Sequence, residues 1–256
     1  MHKLRLKIAY CLEFKSAFHC GTGLPNGLID RAVTRDEGGF LYIPGSTVKG
    51  VLRDRCEQIL GLFDLSAHEP HSDMSGLYEA HPHPTLIATI FGSRFQPGQL
   101  YFDDAVMDGS QQVWFDSPSS QPDVKEEKRH EYRARQVETR TQVSISRLTG
   151  TAQMGALYHS EYGMYGLKFA GEIKGVLMGT PLMGAPQWNF PLLVLVAGLL
   201  SLDRIGGNKS TGAGEVICTI SAILGDDTPV ILDDLLAELP YLDREMYTEL
   251  EQEPAR

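Results

Sequence analysis

No apolar run in this sequence is long enough to cross a bilayer: the longest, Phe190 to Leu200, has eleven residues, against the ~20 that a spanning helix needs. The first residues, Met1-His2-Lys3-Leu4-Arg5-Leu6, alternate where a signal peptide would be continuously apolar. Both absences lead us to expect a soluble, cytoplasmic protein with no membrane partner. Cysteine is scarce as well. Cys11, Cys20, Cys56 and Cys218 are scattered and form no C-x-x-C pair, which excludes a disulfide framework and fits reduced thiols in a cytoplasm. No internal repeat of solenoid length is present. A basic surplus is also missing: the net charge of -10 at first argues against phosphate binding.

The distribution of charge reverses that argument. Residues 225–256 hold ten acidic side chains and two basic ones, which leaves 23 acidic against 21 basic in residues 1–224. The body is nearly neutral and has room for local basic patches. We therefore expect an acidic tail over 224–256, with Ile231, Leu235, Leu236, Leu239 and Leu242 as one face of a terminal helix.

Within the body, Leu4, Leu6, Ile8, Tyr10, Leu12 and Phe14 recur at period two, the pattern of a strand with one buried face. A loop follows, Cys20-Gly21-Thr22-Gly23-Leu24-Pro25-Asn26-Gly27, whose composition favours exposed backbone N–H groups. After Ile43-Pro44-Gly45, Ser46 has the chemistry of an N-cap, and Val48, Val51, Leu52, Cys56, Ile59 and Leu60 fall at helical spacing. Residues 64–84 are polar and rich in His and Pro, which predicts an inserted lobe. The core resumes at Thr85 to Phe91 and at a strand near Leu100 to Val106. A charged, Ser/Pro-containing loop is expected over about 116–136. Alternation at Thr141, Val143 and Ile145, a turn-rich stretch from Leu148 to Gly163, and alternation at Tyr165, Leu167, Phe169 and Ile173 together predict one long hairpin over about 138–173. Phe190 to Leu202 reads as a buried helix with Pro191 in its first turn, and Glu215 to Ile223 as a closing strand. The resulting order is strand, helix, strand, strand, helix, strand. That is an α+β chain with the element order of the ferredoxin-like fold, also used by RNA recognition motifs.

Four groups of residues carry candidate chemistry. Ser46, Thr47, Lys49 and Arg53 open the first helix, where free N–H groups and two cations a turn apart form a phosphate cradle. The run Gly206-Gly207-Asn208-Lys209-Ser210-Thr211-Gly212-Ala213-Gly214 invites comparison with a nucleotide-binding P-loop, but Asn208 precedes Lys209 where glycine is required and a strand follows where a helix is required. Nucleotide hydrolysis is therefore excluded, and a nest of N–H groups around a phosphodiester fits instead. Asp30 follows the first glycine-rich loop. By itself it reads as a turn residue or an ion-pair partner of Arg31, with Asp36 nearby in a turn-like Asp-Glu-Gly-Gly. His68, His71, His81 and His83, at H-x-x-H and H-x-H spacing, either staple the lobe through one zinc ion, with Cys56 or Asp73 as replacement ligands, or sit in a polar loop that needs no metal.

Taken in order, several segments resemble the RAMP superfamily of CRISPR proteins, and within it the backbone subunit of type III effector complexes. They are Gly27-Leu28-Ile29-Asp30, Tyr42-Ile43-Pro44-Gly45-Ser46-Thr47-Val48-Lys49-Gly50-Val51-Leu52-Arg53, Ile90-Phe91-Gly92-Ser93, Ser146-Arg147-Leu148-Thr149-Gly150-Thr151-Ala152 leading to Leu157-Tyr158 and Glu161, and the 206–214 run. The resemblance spans roughly residues 1–223 and implies a ferredoxin-like core with a lid lobe and a thumb hairpin. It implies guide RNA, complementary target RNA, further copies of the chain and other complex subunits as partners. It assigns target-RNA cleavage to Asp30, as a carboxylate that recruits a divalent cation, Mg or Mn, or orients the attacking 2'-hydroxyl, with Asp36 as a substitute. RNA contacts are expected from His19, Gly21, Gly23, Ser46, Thr47, Lys49, Arg53, Gly206, Gly207, Lys209, Ser210, Thr211 and Gly212. In the thumb, Arg140 and Arg147 are expected to hold phosphates, and Met154, Leu157 and Tyr158 to wedge between bases. Two other roles share these motifs: a scaffold that binds both RNAs without cutting, and a guide-processing endoribonuclease using His19 as an acid-base group.

Overall fold

The computed structural model describes residues 2–63, 86–93, 97–116, 133–182 and 184–241. Its first half contains β1 (His2–Phe14), β2 (Tyr42–Ile43), α1 (Gly45–Leu62), α2 (Leu86–Phe91), β3 (Leu100–Phe102), β4 (Ala105–Met107) and α3 (Gly109–Asp116). The second half contains β5 (Val137–Ile145), β6 (Ala152–Gly163), β7 (Lys168–Gly179), α4 (Phe190–Leu200), β8 (Val216–Gly225), β9 (Thr228–Pro229) and α5 (Leu232–Leu236). Single 3-10 turns at Lys209–Thr211 and Leu239–Tyr241 complete it.

The period-two pattern of β1 has the expected consequence. Leu4, Leu6, Ile8, Tyr10, Leu12 and Phe14 are each 2% exposed or less, while Lys3, Arg5 and Lys7 on the opposite face meet solvent. β1 runs through the middle of the main sheet, antiparallel to β7 on one side and to β8 on the other. The sheet order is β2-β4-β7-β1-β8-β9, with β3 also pairing to β7. Following the chain through β1, α1, β3 and β4, β7, α4 and β8 reproduces the strand, helix, strand, strand, helix, strand order.

Two helices cover the inner face. α1 turns Val48, Leu52, Cys56 and Leu60 inward against α4, whose Leu192 to Val196 are wholly buried. The helices approach closely because α4 carries Gly198 at the crossing: a Cβ there would stand 2.5 Å from the Cys56 Sγ. α4 begins where Asn189 Oδ1 accepts the Leu192 N–H at 3.1 Å, with Pro191 in the first turn, where its missing N–H costs nothing.

Three expectations need correction. Ser46 does not cap α1. Pro44 holds the cap position without a side-chain bond, and Asp104 Oδ1 accepts the Gly45 N–H at 2.7 Å, so a carboxylate from a distant turn does the work that a local hydroxyl was expected to do. The hairpin predicted over about 138–173 is instead β5 paired with β6, from Val137 opposite Gly163 to Ile145 opposite Ala152. Lys168–Gly179 is the core strand β7, bonded to β1. β6 reads as a turn because its outer half is exposed on both faces, which erases the apolar alternation that marks a strand. The line drawn between body and tail at 223/224 falls inside β8. Beyond it, Val230 and Leu235 join the core. The helix α3 was not anticipated.

His68, His71, His81 and His83, with the whole 64–84 insertion, lie outside the described residues, as do 117–132 of the expected loop and 242–256 of the tail. No helix among the described residues is long and apolar enough to cross a membrane.

Candidate nucleic-acid interface

The segment after β1 is laced to the inner half of β6. Phe18 stacks on Phe14 with ring centroids 3.8 Å apart. It exchanges two backbone hydrogen bonds with Gly163, at 3.0 and 2.7 Å. Only glycine fits opposite it, since a Cβ on residue 163 would enter the Phe18 ring at 2.3 Å. This fixes the next residue. The Nδ1 of His19 lies 2.7 Å from the carbonyl oxygen of Glu161; a carbonyl can only accept, so Nδ1 carries a hydrogen, and in the neutral ring Nε2 is the acceptor nitrogen. That Nε2 lies beside Gly21, where a Cβ would stand 2.6 Å from it.

The glycine-rich loop is a small antiparallel excursion. Thr22 N–H donates to Ala32 O at 3.0 Å and Thr34 N–H to Cys20 O at 2.9 Å, while Asn26 and Ile29 bond reciprocally. Its tip is exposed, with Leu28 at 90%. Burial pushes the thiol of Cys20 up to about 12, so it is an inert packing group. The returning strand places Asp30. Its N–H donates to His159 O at 3.0 Å, and its Oδ2 accepts the His159 N–H at 2.7 Å. Among the described residues the other carboxylate oxygen has no hydrogen-bond partner, and the side chain is exposed.

The second glycine run meets the first. Gly207 N–H donates to His19 O at 2.8 Å. Asn208, at φ 59°, turns the chain through the left-handed region, and its side-chain amide donates to the Tyr162 hydroxyl. Lys209, Ser210 and Thr211 then form the exposed 3-10 turn, closed by Gly212 N–H to Lys209 O at 3.2 Å. This is a compact polar turn with one cation.

The result is one cleft of about 580 Å³ lined by His19, Cys20, Gly21, Gly23, Leu24, Asp30, Arg31, Ala32, Thr47, Val51, Gly206, Gly207 and Lys209. Of the expected RNA-contacting residues it therefore gathers His19, Gly21, Gly23, Thr47, Gly206, Gly207 and Lys209 around Asp30. Ser46 is exposed in the first turn of α1, and Ser210, Thr211 and Gly212 continue the turn beyond Lys209. Lys49 and Arg53 are elsewhere. The Lys49 Nζ lies 5.8 Å from the centre of the Phe102 ring, and Arg53 bonds Glu57 at 2.9 Å and Gly92 O at 3.5 Å. The expectation of two cations on the exposed face of the helix start is corrected by helical geometry. Thr47 and Val51 form one i, i+4 stripe, and Lys49 and Arg53, two residues on, form a stripe about 200° away.

The β5–β6 arm carries the remaining candidates. Met154, at 104% exposure, and Leu157, at 61%, project into solvent, and Arg147 is exposed near the turn. Arg140 pairs with Glu138 and covers the Tyr162 ring at 4.4 Å.

Sequence reasoning overlooked the pair that joins arm to loop. Glu161, with its side chain 12% exposed, accepts one hydrogen bond from each terminal guanidinium nitrogen of Arg35 at 3.1 Å and one from the Val33 N–H at 3.2 Å. No local pattern signals a contact between residues 126 positions apart.

No group of three or more His, Cys, Asp or Glu side chains among the described residues is arranged to hold a metal ion. Among the described residues Asp30 is the single carboxylate lining the cleft. That fits a divalent ion completing its shell with water and phosphate oxygens, as Mg²⁺ does with one or two carboxylates.

A family model described as the RAMP superfamily matches residues 11–217, most of the chain. The chain belongs to the RAMP superfamily. The matched span of this RAMP chain runs from within β1 to within β8 and includes both glycine-rich loops, Asp30 and the arm. No curated protein matches it. Two similar solved structures, both by cryo-EM, are chains of the Type III-B Cmr-beta complex, one bound to cognate target RNA and one in the apo state. Each is 13% identical to this RAMP chain with a TM-score of 0.55, covering 84% of it and 96% or 97% of the other chain. At that identity the likeness is one of fold.

Proposed function

We propose that this RAMP protein is a guide-RNA-binding backbone subunit of a type III CRISPR effector complex, and that Asp30 directs metal-dependent cleavage of complementary target RNA. The observation that carries the proposal is the convergence of Asp30, His19, Lys209 and both glycine-rich loops on one cleft. Membership of the superfamily supports it, and so does the fold shared with a chain of a Type III-B complex solved bound to cognate target RNA. The core is then a ferredoxin-like palm related to RNA recognition motifs, the β5–β6 arm a thumb, and the 64–84 insertion a lid. Partners are guide RNA, target RNA, further copies of the chain and other subunits of the complex.

In this assignment the loop amides near Gly206 and Gly207 and the Lys209 ammonium hold ribose-phosphate backbone. The free Asp30 oxygen faces the strand to be cut and would hold a divalent ion there. When bound, that ion neutralises charge building on the reacting phosphate. His19, fixed with its hydrogen on Nδ1, offers Nε2 as an acceptor for a ribose hydroxyl. Each subunit supplies a modest grip, and repetition along one guide strand supplies tight binding.

The test is to purify the assembled particle and supply complementary RNA with Mg²⁺ or Mn²⁺. Guide RNA of discrete length should copurify, and target should be cut at regular spacing. Asp30→Ala should retain assembly and target binding while cleavage falls at least about a hundredfold, the scale of a lost charge-stabilising group. Full-rate cutting by that variant would remove Asp30 from the mechanism. A wild-type particle that binds target and leaves it whole would make the chain a scaffold.

A further inference from the structure

Two cleft side chains that face RNA in the assignment above are both held by one strand of the arm. His159 and Glu161, two residues apart on β6, bond respectively to Asp30 and His19: the His159 N–H donates to the Asp30 carboxylate at 2.7 Å, and the Glu161 carbonyl accepts the His19 ring N–H at 2.7 Å. Backbone bonds reinforce the seam. Asp30 and Arg31 N–H groups donate to His159 O at 3.0 and 3.2 Å, and Glu161 N–H donates to Arg31 O at 2.9 Å. The Asp30 segment thus runs parallel beside β6, bridged at Arg31 and Ser160.

A parallel seam of so few bonds needs a lock, and Glu161 is placed to be one. Its carboxylate takes the Arg35 guanidinium in a bidentate pair and the Val33 amide as a third donor. The pair is mostly buried, with side chains 28% and 12% exposed. A bidentate charge-assisted pair fixes orientation as well as distance. It clamps the returning strand two residues beyond the last seam contact.

We infer that Glu161 is a positioning residue for the cleft: its carboxylate, through Arg35 and Val33, fixes the strand that carries Asp30 relative to the thumb, while its backbone carbonyl holds His19. The arm that reaches toward RNA and the carboxylate that serves the cut are then one rigid unit. A displacement of about 1 Å at a reacting group can cost about a hundredfold in rate, so loss of the clamp is read in turnover rather than in binding. The inference rests on the cleavage role proposed for Asp30, and its test is built to separate the two.

In the assembled particle, Glu161→Gln keeps the shape and one acceptor but loses the ion pair; Arg35→Gln removes the same pair from the other side. Each should lower the single-turnover cleavage rate at saturating target by about tenfold to a hundredfold, with target affinity unchanged within about twofold. The double variant should be no worse than either single one, because both remove one interaction. Hydrogen exchange of the amides of residues 30 to 33 should rise in both variants, a readout that needs no activity. Full-rate cleavage and unchanged exchange would overturn the positioning role while leaving Asp30 in place. Faster exchange in a particle whose wild type never cuts would keep the clamp and reject the cleavage assignment. Additive losses in the double variant would show that Glu161 and Arg35 act separately and would also overturn it.

Discussion

Gly206 lies so close beneath the carbonyl of His19 that a Cβ on residue 206 would stand 2.6 Å from that oxygen. The contact, between residues 187 apart in sequence, brings the two glycine-rich loops together in the lining of the cleft. The obstacle is backbone, which cannot swing aside as a side chain would. Gly206 also holds φ at +97°, a region that L side chains rarely adopt.

Gly206→Ala should therefore destabilise the protein by roughly 1–3 kcal/mol, the scale of a strained backbone or an overpacked contact. Its neighbour supplies the control. At Gly207 a Cβ would meet His19 Cδ2 at an ordinary 3.5 Å, and Gly207→Ala should stay within about 1 kcal/mol of wild type. Urea midpoints for both variants check the pair. Equal midpoints would mean that the loops do not meet as described.

Much of this fold was legible in the sequence because its signals are local. The alternation of β1, the helical spacing of α1 and the unbroken apolar run of α4 each report a buried face, and burial forces the element. The second strand of the arm was misplaced for the converse reason: the outer half of β6 is exposed on both faces and leaves no alternation to read. At the site, the two glycine runs announce themselves by composition, and the family resemblance singles out Asp30. What composition cannot supply is which side of a helix meets the cleft or what lies across from it. Thr47 and Lys49 are two residues apart and both polar, yet only Thr47 lines the cleft. The Glu161–Arg35 pair and the Asp104 cap join distant segments, and no pattern in one chain reports them.

The thiols give a pH prediction. Burial pushes Cys20 and Cys218 up to about 12 from 9.0 and raises Cys56 further in the same direction. A thiol raised in the folded state stays protonated there while the unfolded chain ionises, so its stabilising effect is intact below about pH 9 and declines above it. Urea midpoints should be level between pH 7 and 8 and fall steadily from pH 9 upward. Cys20→Ala should flatten part of that slope. In the native state at pH 8 a thiol reagent should find Cys11, the one partly exposed cysteine, with the other three reacting only after unfolding. Rapid reaction of all four would contradict the packing.

The last prediction separates two lysines that sequence alone treats alike. Lys209 is exposed on its turn and lines the cleft. Lys49 is partly buried with its ammonium over the Phe102 ring. A cation that neutralises one phosphate releases condensed counterions, so its removal lowers affinity and also flattens the dependence of log K on log salt by about 0.7 for single-stranded nucleic acid. Lys209→Ala should do both when RNA retention is measured across a salt series. Lys49→Ala should leave the salt slope as it is and instead lower stability by about 0.5–1 kcal/mol through the lost cation–π contact. A packing residue and a phosphate contact differ in salt response even when both weaken binding, so the slope is the decisive quantity. If Lys49→Ala flattens the slope and Lys209→Ala does not, RNA follows a path along α1 and not through the cleft.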